Sequence, residues 1–146
     1  MRILAFDHGT RSTGVAVSDE LGLTAQGVKV IRHGPRRWEE IAELIEAYMP
    51  ECIVVGLPLN MDGSCGPSAD GAKRFAHQLE ERFRRKVVFW DERLSSVGAE
   101  RVLLEADLSR RKRKKVIDKM AAVFILEGYL VRERNRNKNK DAKDCT

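Results

Sequence analysis

The stretch Arg2-Ile-Leu-Ala-Phe-Asp-His-Gly-Thr-Arg-Ser-Thr-Gly-Val-Ala-Val-Ser-Asp19 decides how this chain is read. Its apolar run, Ile3 to Phe6, stops at Asp7, Gly9 follows two residues on, and Gly14 opens a second apolar run, Val15 to Val17. That pattern predicts two strands joined by a short glycine-bearing turn, with a carboxylate at the carboxyl end of the first strand. An acid there can hold a metal ion or orient a phosphate. It can equally cap its own turn, as aspartates do in tight loops. The local spacing leaves both roles open, and the rest of the chain has to decide.

Working outward, a third strand falls at Ala25-Gln-Gly-Val-Lys-Val-Ile31, and its short connection makes the first three strands an antiparallel meander. A helical pattern over 36–48 turns Trp38, Ile41, Leu44 and Ile45 inward and ends before Pro50. Cys52-Ile-Val-Val-Gly56 is wholly apolar, as a strand buried on both faces should be. A second helix is predicted over 67–85, then the strand Val87-Val-Phe-Trp90, then helices over 97–106 and 112–132. Residues 135–146 are polar and predicted to be a disordered tail, which leaves a single domain over 1–134. The outcome is an α/β fold with a five-stranded mixed sheet. Crossovers place strands four and five beside strand one, so that Asp7, the loop Gly56 to Gly63 and Asp91-Glu92-Arg93 share one rim.

Two further acids have the setting of Asp7. Asp91 and Glu92 both follow an apolar strand, and alternation turns only one of them toward Asp7. Asp118 sits in the nearly all-apolar helix Val116 to Leu126, with Ala121, Ala122 and Ile125 on its own face. Its plain alternative is an ion pair with Lys114 or Lys115. Three carboxylates at one rim repel each other unless cations bridge them, and an oxygen-only donor set suits Mg²⁺ or Mn²⁺. Two such ions can activate water and stabilise the leaving oxygen of a phosphodiester. His33 and His77 fall on surface segments with no expected role, and His8 points to the side of the backbone opposite Asp7.

Charge is unevenly placed. Residues 1–107 carry 14 basic and 17 acidic side chains, whereas residues 108–146 carry 13 and 5. The basic excess is focused on Arg110, Arg111, Lys112, Arg113, Lys114 and Lys115, at the entry to the helix that bears Asp118. Six cations at a helix N-terminus oppose its dipole, so they point to a phosphate backbone rather than to helix stability. No stretch approaches the roughly 20 apolar residues of a membrane span. Three cysteines without a C-x-x-C pair suggest a reducing, cytoplasmic setting.

Assembled in order, Phe6 to Asp19, Val54 to Gly63, Asp91 to Ser96 and Arg111 to Ala122 give a chain that resembles the YqgF/RuvX family of ribonuclease H-like proteins. The resemblance spans residues 2 to about 131 and implies a sheet in the order 3-2-1-4-5 flanked by helices. It places the acidic triad, with its two Mg²⁺ or Mn²⁺ ions, on Asp7, Glu92 and Asp118, preferring Glu92 over Asp91. Thr10, Arg11 and Arg93 would steer phosphates, and Arg110 to Lys115 would grip the backbone. It implies a cytoplasmic nuclease that matures the 5′ end of pre-16S ribosomal RNA, working alone or as a weak dimer and in contact with the small ribosomal subunit. An older family label, Holliday-junction resolvase, implies a junction-cutting DNA nuclease. Ser12 and Gly98 depart from the family pattern without touching the three acids. Two other classes fit parts of the chain. Asp7 to Gly14 matches the D-x-G-T-x-x-x-G of sugar-kinase and actin-type ATPases, which need a second domain. A non-catalytic RNA-binding assembly factor would use the basic cluster alone.

Overall fold

Asp7 stands near the end of the most enclosed strand of the molecule. In the computed structural model, which describes residues 2–60, 62–92 and 110–144, with side chains at all of these except 110–119 and 138–144, β1 spans Ile3–His8. Its first four residues are fully buried, because β1 pairs antiparallel with β2 (Ser12–Ser18) on one side and parallel with β4 (Cys52–Leu57) on the other. The turn between β1 and β2 is closed by the Gly9 N–H, which donates to the Ser12 carbonyl at 2.9 Å. A Cβ on residue 9 would lie 2.9 Å from that same oxygen, so this turn requires glycine.

β3 (Ala25–Arg32) pairs antiparallel with β2, and β5 (Lys86–Asp91) pairs parallel with β4. The sheet order is therefore β3-β2-β1-β4-β5, the expected mixed sheet. The β2–β3 connection is held by the Asp19 carboxylate, which accepts the N–H groups of Leu23 at 2.7 Å and Thr24 at 3.1 Å. Those bonds, Thr24's first, hold its pKa below the usual carboxylate range.

Two helical layers cover the sheet. α1 (Arg37–Tyr48) and α2 (Pro67–Phe83) lie over one face, where Ile41, Leu44, Ile45, Phe75 and Leu79 pack on Leu4, Phe6, Ile53 and Val55. Both helices end in a left-handed residue, Met49 and Arg84, whose N–H returns to the carbonyl four residues back. The other face is covered by α3 (Arg110–Asp144), whose Ala122, Ile125, Leu126, Tyr129 and Leu130 pack on Ile3, Ala5, Ala16, Val54 and Trp90. Small residues permit that close approach. A Cβ on Gly128 would lie 2.7 Å from the Trp90 ring, and one on Gly56 would overlap Ile125.

Two expectations differ from the structure or lie outside it. Residues 135–144, read from composition as a disordered tail, continue α3 as helix. Arginine, lysine and alanine are good helix formers, and here they extend a helix already nucleated by its buried middle turns. The helix expected over 97–106 lies outside the described residues. Among the described residues no helix is long and apolar enough to cross a membrane.

Candidate active site

Strand alternation sorts the acids by face. Ile3 and Ala5 belong to the core under α3, while Leu4 and Phe6 belong to the core under α1 and α2, so Asp7 faces the α3 side. Trp90 belongs to the α3 side and Val87 packs on the opposite side. The same alternation puts Asp91 on the α1/α2 face, opposite Leu57 in the register. Glu92 follows β5 and comes back to the α3 side. Its Oε1 is buried and lies 3.3 Å from where a Cβ on Gly56 would stand, next to Ile125 of α3.

Gly56 is the pivot of this arrangement. It lies in β4, between β1 and β5, at the register step that follows Phe6–Val55 and is shared with Trp90. Asp7 and Glu92 thus come from strands two spacings apart, roughly 10 Å between backbones, with a bare glycine between them. The absent side chain at 56 lets Ile125 of α3 pack directly on the strand backbone, beside the Glu92 carboxylate. The chemistry of the two carboxylates, hard oxygen donors at the carboxyl ends of parallel strands, fits Mg²⁺ or Mn²⁺. Among the described residues no group of three or more His, Cys, Asp or Glu side chains forms a metal site. A third carboxylate has to come from elsewhere. Asp118 stands in α3 seven residues before Ile125, two turns along the same stripe, and its side chain lies outside the described residues.

The other sequence candidates divide. Thr10 and Arg11 sit on the β1–β2 turn, and the Arg11 carbonyl accepts the His33 N–H at 2.9 Å. Arg93 lies outside the described residues. Arg110 to Lys115 form the first turns of α3, and their side chains are likewise outside the description. The loop after β4 is tied internally, with the Ser64 Oγ donating to the Asp62 carboxylate at 2.6 Å and the Asn60 Nδ2 donating to Ser64 at 3.0 Å.

Sequence reasoning missed the opposite side of the turn. His33, expected to be an idle surface residue, is hydrogen-bonded through Nε2 to Thr13 Oγ1 at 2.9 Å and stacks on His8 at 5.0 Å between ring centroids. His8 in turn stacks on Phe75 at 4.8 Å, and Phe75 on Trp38 at 5.7 Å, giving a column of four rings. Burial first, then His33, Arg37 and Arg74, push the His8 pKa down to about 4. Burial and Arg37 push His33 down as well, so both imidazoles are neutral at neutral pH. His77, on the outer side of α2, pairs with Glu81 at 3.0 Å. No periodicity reveals the inner pair, since residues 8, 33, 37 and 74 meet only once α1 and α2 dock.

The chain has relatives among known proteins. The family model described as RuvX: Holliday junction resolvase matches residues 1–132. A relative in Desulfitobacterium hafniense, named "Putative pre-16S rRNA nuclease", is 55% identical over 142 residues, covering 97% of this chain and all of the relative. Relatives of the same name in Bacillus cereus and a Geobacillus strain are 52% and 54% identical, covering 91% and 89% of this chain and 100% and 97% of theirs. Among solved structures, Thermus thermophilus RuvC in complex with a Holliday junction substrate superposes with a TM-score of 0.54 at 13% identity, covering 91% of this chain and 96% of that one. At that identity the likeness is one of fold.

Proposed function

Since the chain belongs to the RuvX family, we propose that it is a divalent-metal-dependent nuclease acting on RNA, with the 5′ region of precursor 16S ribosomal RNA as its substrate. The observation that supports this reading most is the pair of carboxylates, Asp7 and Glu92, on one face of the sheet across the bare backbone of Gly56. Asp118 completes the set from α3. When bound, Mg²⁺ or Mn²⁺ supplies an activated water and a counter-charge for the leaving oxygen. The protein's own groups do the rest. The Glu92 Oε1 is buried beside Gly56, away from bulk water, where charge interactions are stronger. In this reading Thr10, Arg11 and Arg93 steer phosphates, and Arg110 to Lys115 grip the phosphate backbone, positioning a strand without reading its sequence. Residues 1–134 act as one catalytic domain, alone or as a weak dimer. It binds at the small ribosomal subunit in the cytoplasm, and among the described residues the free thiols of Cys52 and Cys65 fit a reducing setting.

The test is cleavage of 5′-labelled precursor-like RNA, beside a four-way DNA junction, in Mg²⁺ or Mn²⁺. Asp7→Asn, Glu92→Gln and Asp118→Asn are each expected to slow RNA cutting on the order of a hundredfold or more. Asp91→Asn, on the other face, keeps most of the rate. Equal cutting by wild type and Asp7→Asn would sink the proposal. Preference for the junction would move the substrate to DNA.

A further inference from the structure

On the face of the β1–β2 turn away from Asp7, a cavity of about 510 Å³ opens between β1, α1 and the start of α2. We propose that it binds a phosphate group of the nucleic-acid strand, as a second anchoring point separated from the carboxylates by the sheet. Only the choice of a nucleic acid as the source of that phosphate rests on the reading above.

Four features converge. Arg37 and Arg74 both line the cavity, and among the described residues neither is paired with a carboxylate. Arg37 is held in place, its guanidinium 4.8 Å from the Trp38 ring centroid and 5.4 Å from that of Phe75, so its charge is fixed before any ligand arrives. No acidic side chain lines the space, while Thr10 adds a hydroxyl and His8 a ring nitrogen, with His33 held beside them by its bond to Thr13. Finally, α2 begins at this wall with Gly66 as N-cap and no side-chain cap, then Pro67, which has no N–H to satisfy. The backbone at Ser68 and the positive end of the helix therefore face the same space as the two guanidiniums.

The chemistry selects a phosphate over a carboxylate or a neutral ligand. Two guanidiniums from separate helices, a hydroxyl and a helix end line one space, which suits a tetrahedral oxyanion. The volume exceeds that of a bare ion and leaves room for the attached nucleoside. Because Thr10 lies three residues beyond Asp7, a strand held here passes the turn on its way to the rim. A terminal phosphomonoester presents three free oxygens and an internal phosphodiester two, and the experiment separates them.

Binding is measured on the metal-free protein, where no cutting occurs, so the outcome does not depend on nuclease activity. A single-stranded RNA is used with a 5′-phosphate and with a 5′-hydroxyl. Arg74→Gln removes an exposed side chain, and Arg37→Lys keeps the charge while losing the planar fork. Each is expected to weaken binding about tenfold. Arg74→Gln should also flatten the slope of log affinity against log salt by about 0.7. Lys86→Gln, an exposed cation at the opposite rim, serves as control and leaves affinity within about twofold. A penalty confined to the 5′-phosphorylated strand identifies a terminal phosphate, and an equal penalty on both identifies an internal one. Inorganic phosphate alone should shift the ring proton signals of His8 and His33 but not those of His77. Affinity unchanged in both arginine variants, or phosphate shifts as large at His77 as at His8 and His33, would overturn the proposal.

Discussion

Gly56 carries more of the proposed chemistry than any residue without a side chain would suggest. A methyl group there would overlap Ile125 and stand 3.3 Å from Glu92 Oε1. Gly56→Ala is therefore expected to lower stability by about 1–3 kcal/mol and to reduce metal-dependent cutting beyond what the stability loss explains. Gly128→Ala is the comparison, since its Cβ would meet the Trp90 ring at 2.7 Å without approaching a carboxylate. It should cost similar stability in urea denaturation and leave the rate per folded molecule unchanged. A second residue-scale prediction concerns alkali. Burial pushes the Tyr129 hydroxyl up to about 12 and raises the Cys52 thiol, whose Sγ lies 4.0 Å from the Tyr129 oxygen. The folded chain holds these protons more tightly than the unfolded one. Their contribution to stability is complete below the unfolded pKa values of 9.0 and 10.0, and it is lost as pH rises toward 12. The urea midpoint should fall between pH 9 and 11, and less steeply in Tyr129→Phe. At this scale the sequence was legible to a point. It marked Asp7 and narrowed the next acid to Asp91 or Glu92. The face that separates those two depends on the register of β5 against β4 and on the course of the chain beyond β5.

At the scale of elements, the strands were the legible part. Their apolar runs are short, bounded by glycine, proline or acid, and unbroken because these strands are buried on both faces. The helices over 36–48 and 67–85 were legible too, through one apolar stripe each. The ring column was not, because His33, His8, Phe75 and Trp38 come from four elements. The extent of α3 was also hidden. Its middle turns are recognisable by their apolar residues, but the sequence of its last turns carries no apolar stripe to signal them. The last well-buried side chain of α3 is Leu130, after which the described residues are partly or fully exposed. Arg132 still lies over the Trp90 ring at 4.9 Å. A chain ending at Arg134 should consequently keep its thermal midpoint within about 2 °C of the full chain. A larger drop would show that the last turns of α3 contribute to the fold.

Over the whole molecule, charge is divided along the chain. The residues that build the sheet, α1 and α2 fall within a segment that is net negative, and the excess of cations begins at the head of α3. Replacing Arg110 to Lys115 with glutamine should weaken RNA binding and reduce the salt slope by several times the change expected for Arg74→Gln, in proportion to the phosphates released. Catalysis per bound complex should suffer less than affinity, a split that single-turnover kinetics would read. Cluster and cavity, placed on different elements, would then contribute separately to the same salt dependence.

The position of α3 in the chain also has a consequence in time. The five described strands are synthesised before it, yet among the described elements it alone covers one face of the sheet, and it carries both Asp118 and the basic cluster. Until it docks, Ala5, Ala16, Val54 and Trp90 present an open apolar face. Its contacts with β1 span more than a hundred residues of sequence, which makes them late and slow to form. A nascent chain thus makes its strands before the helix that carries Asp118. Under the proposed triad, an unfinished chain beside RNA would lack its third acid and leave the RNA intact.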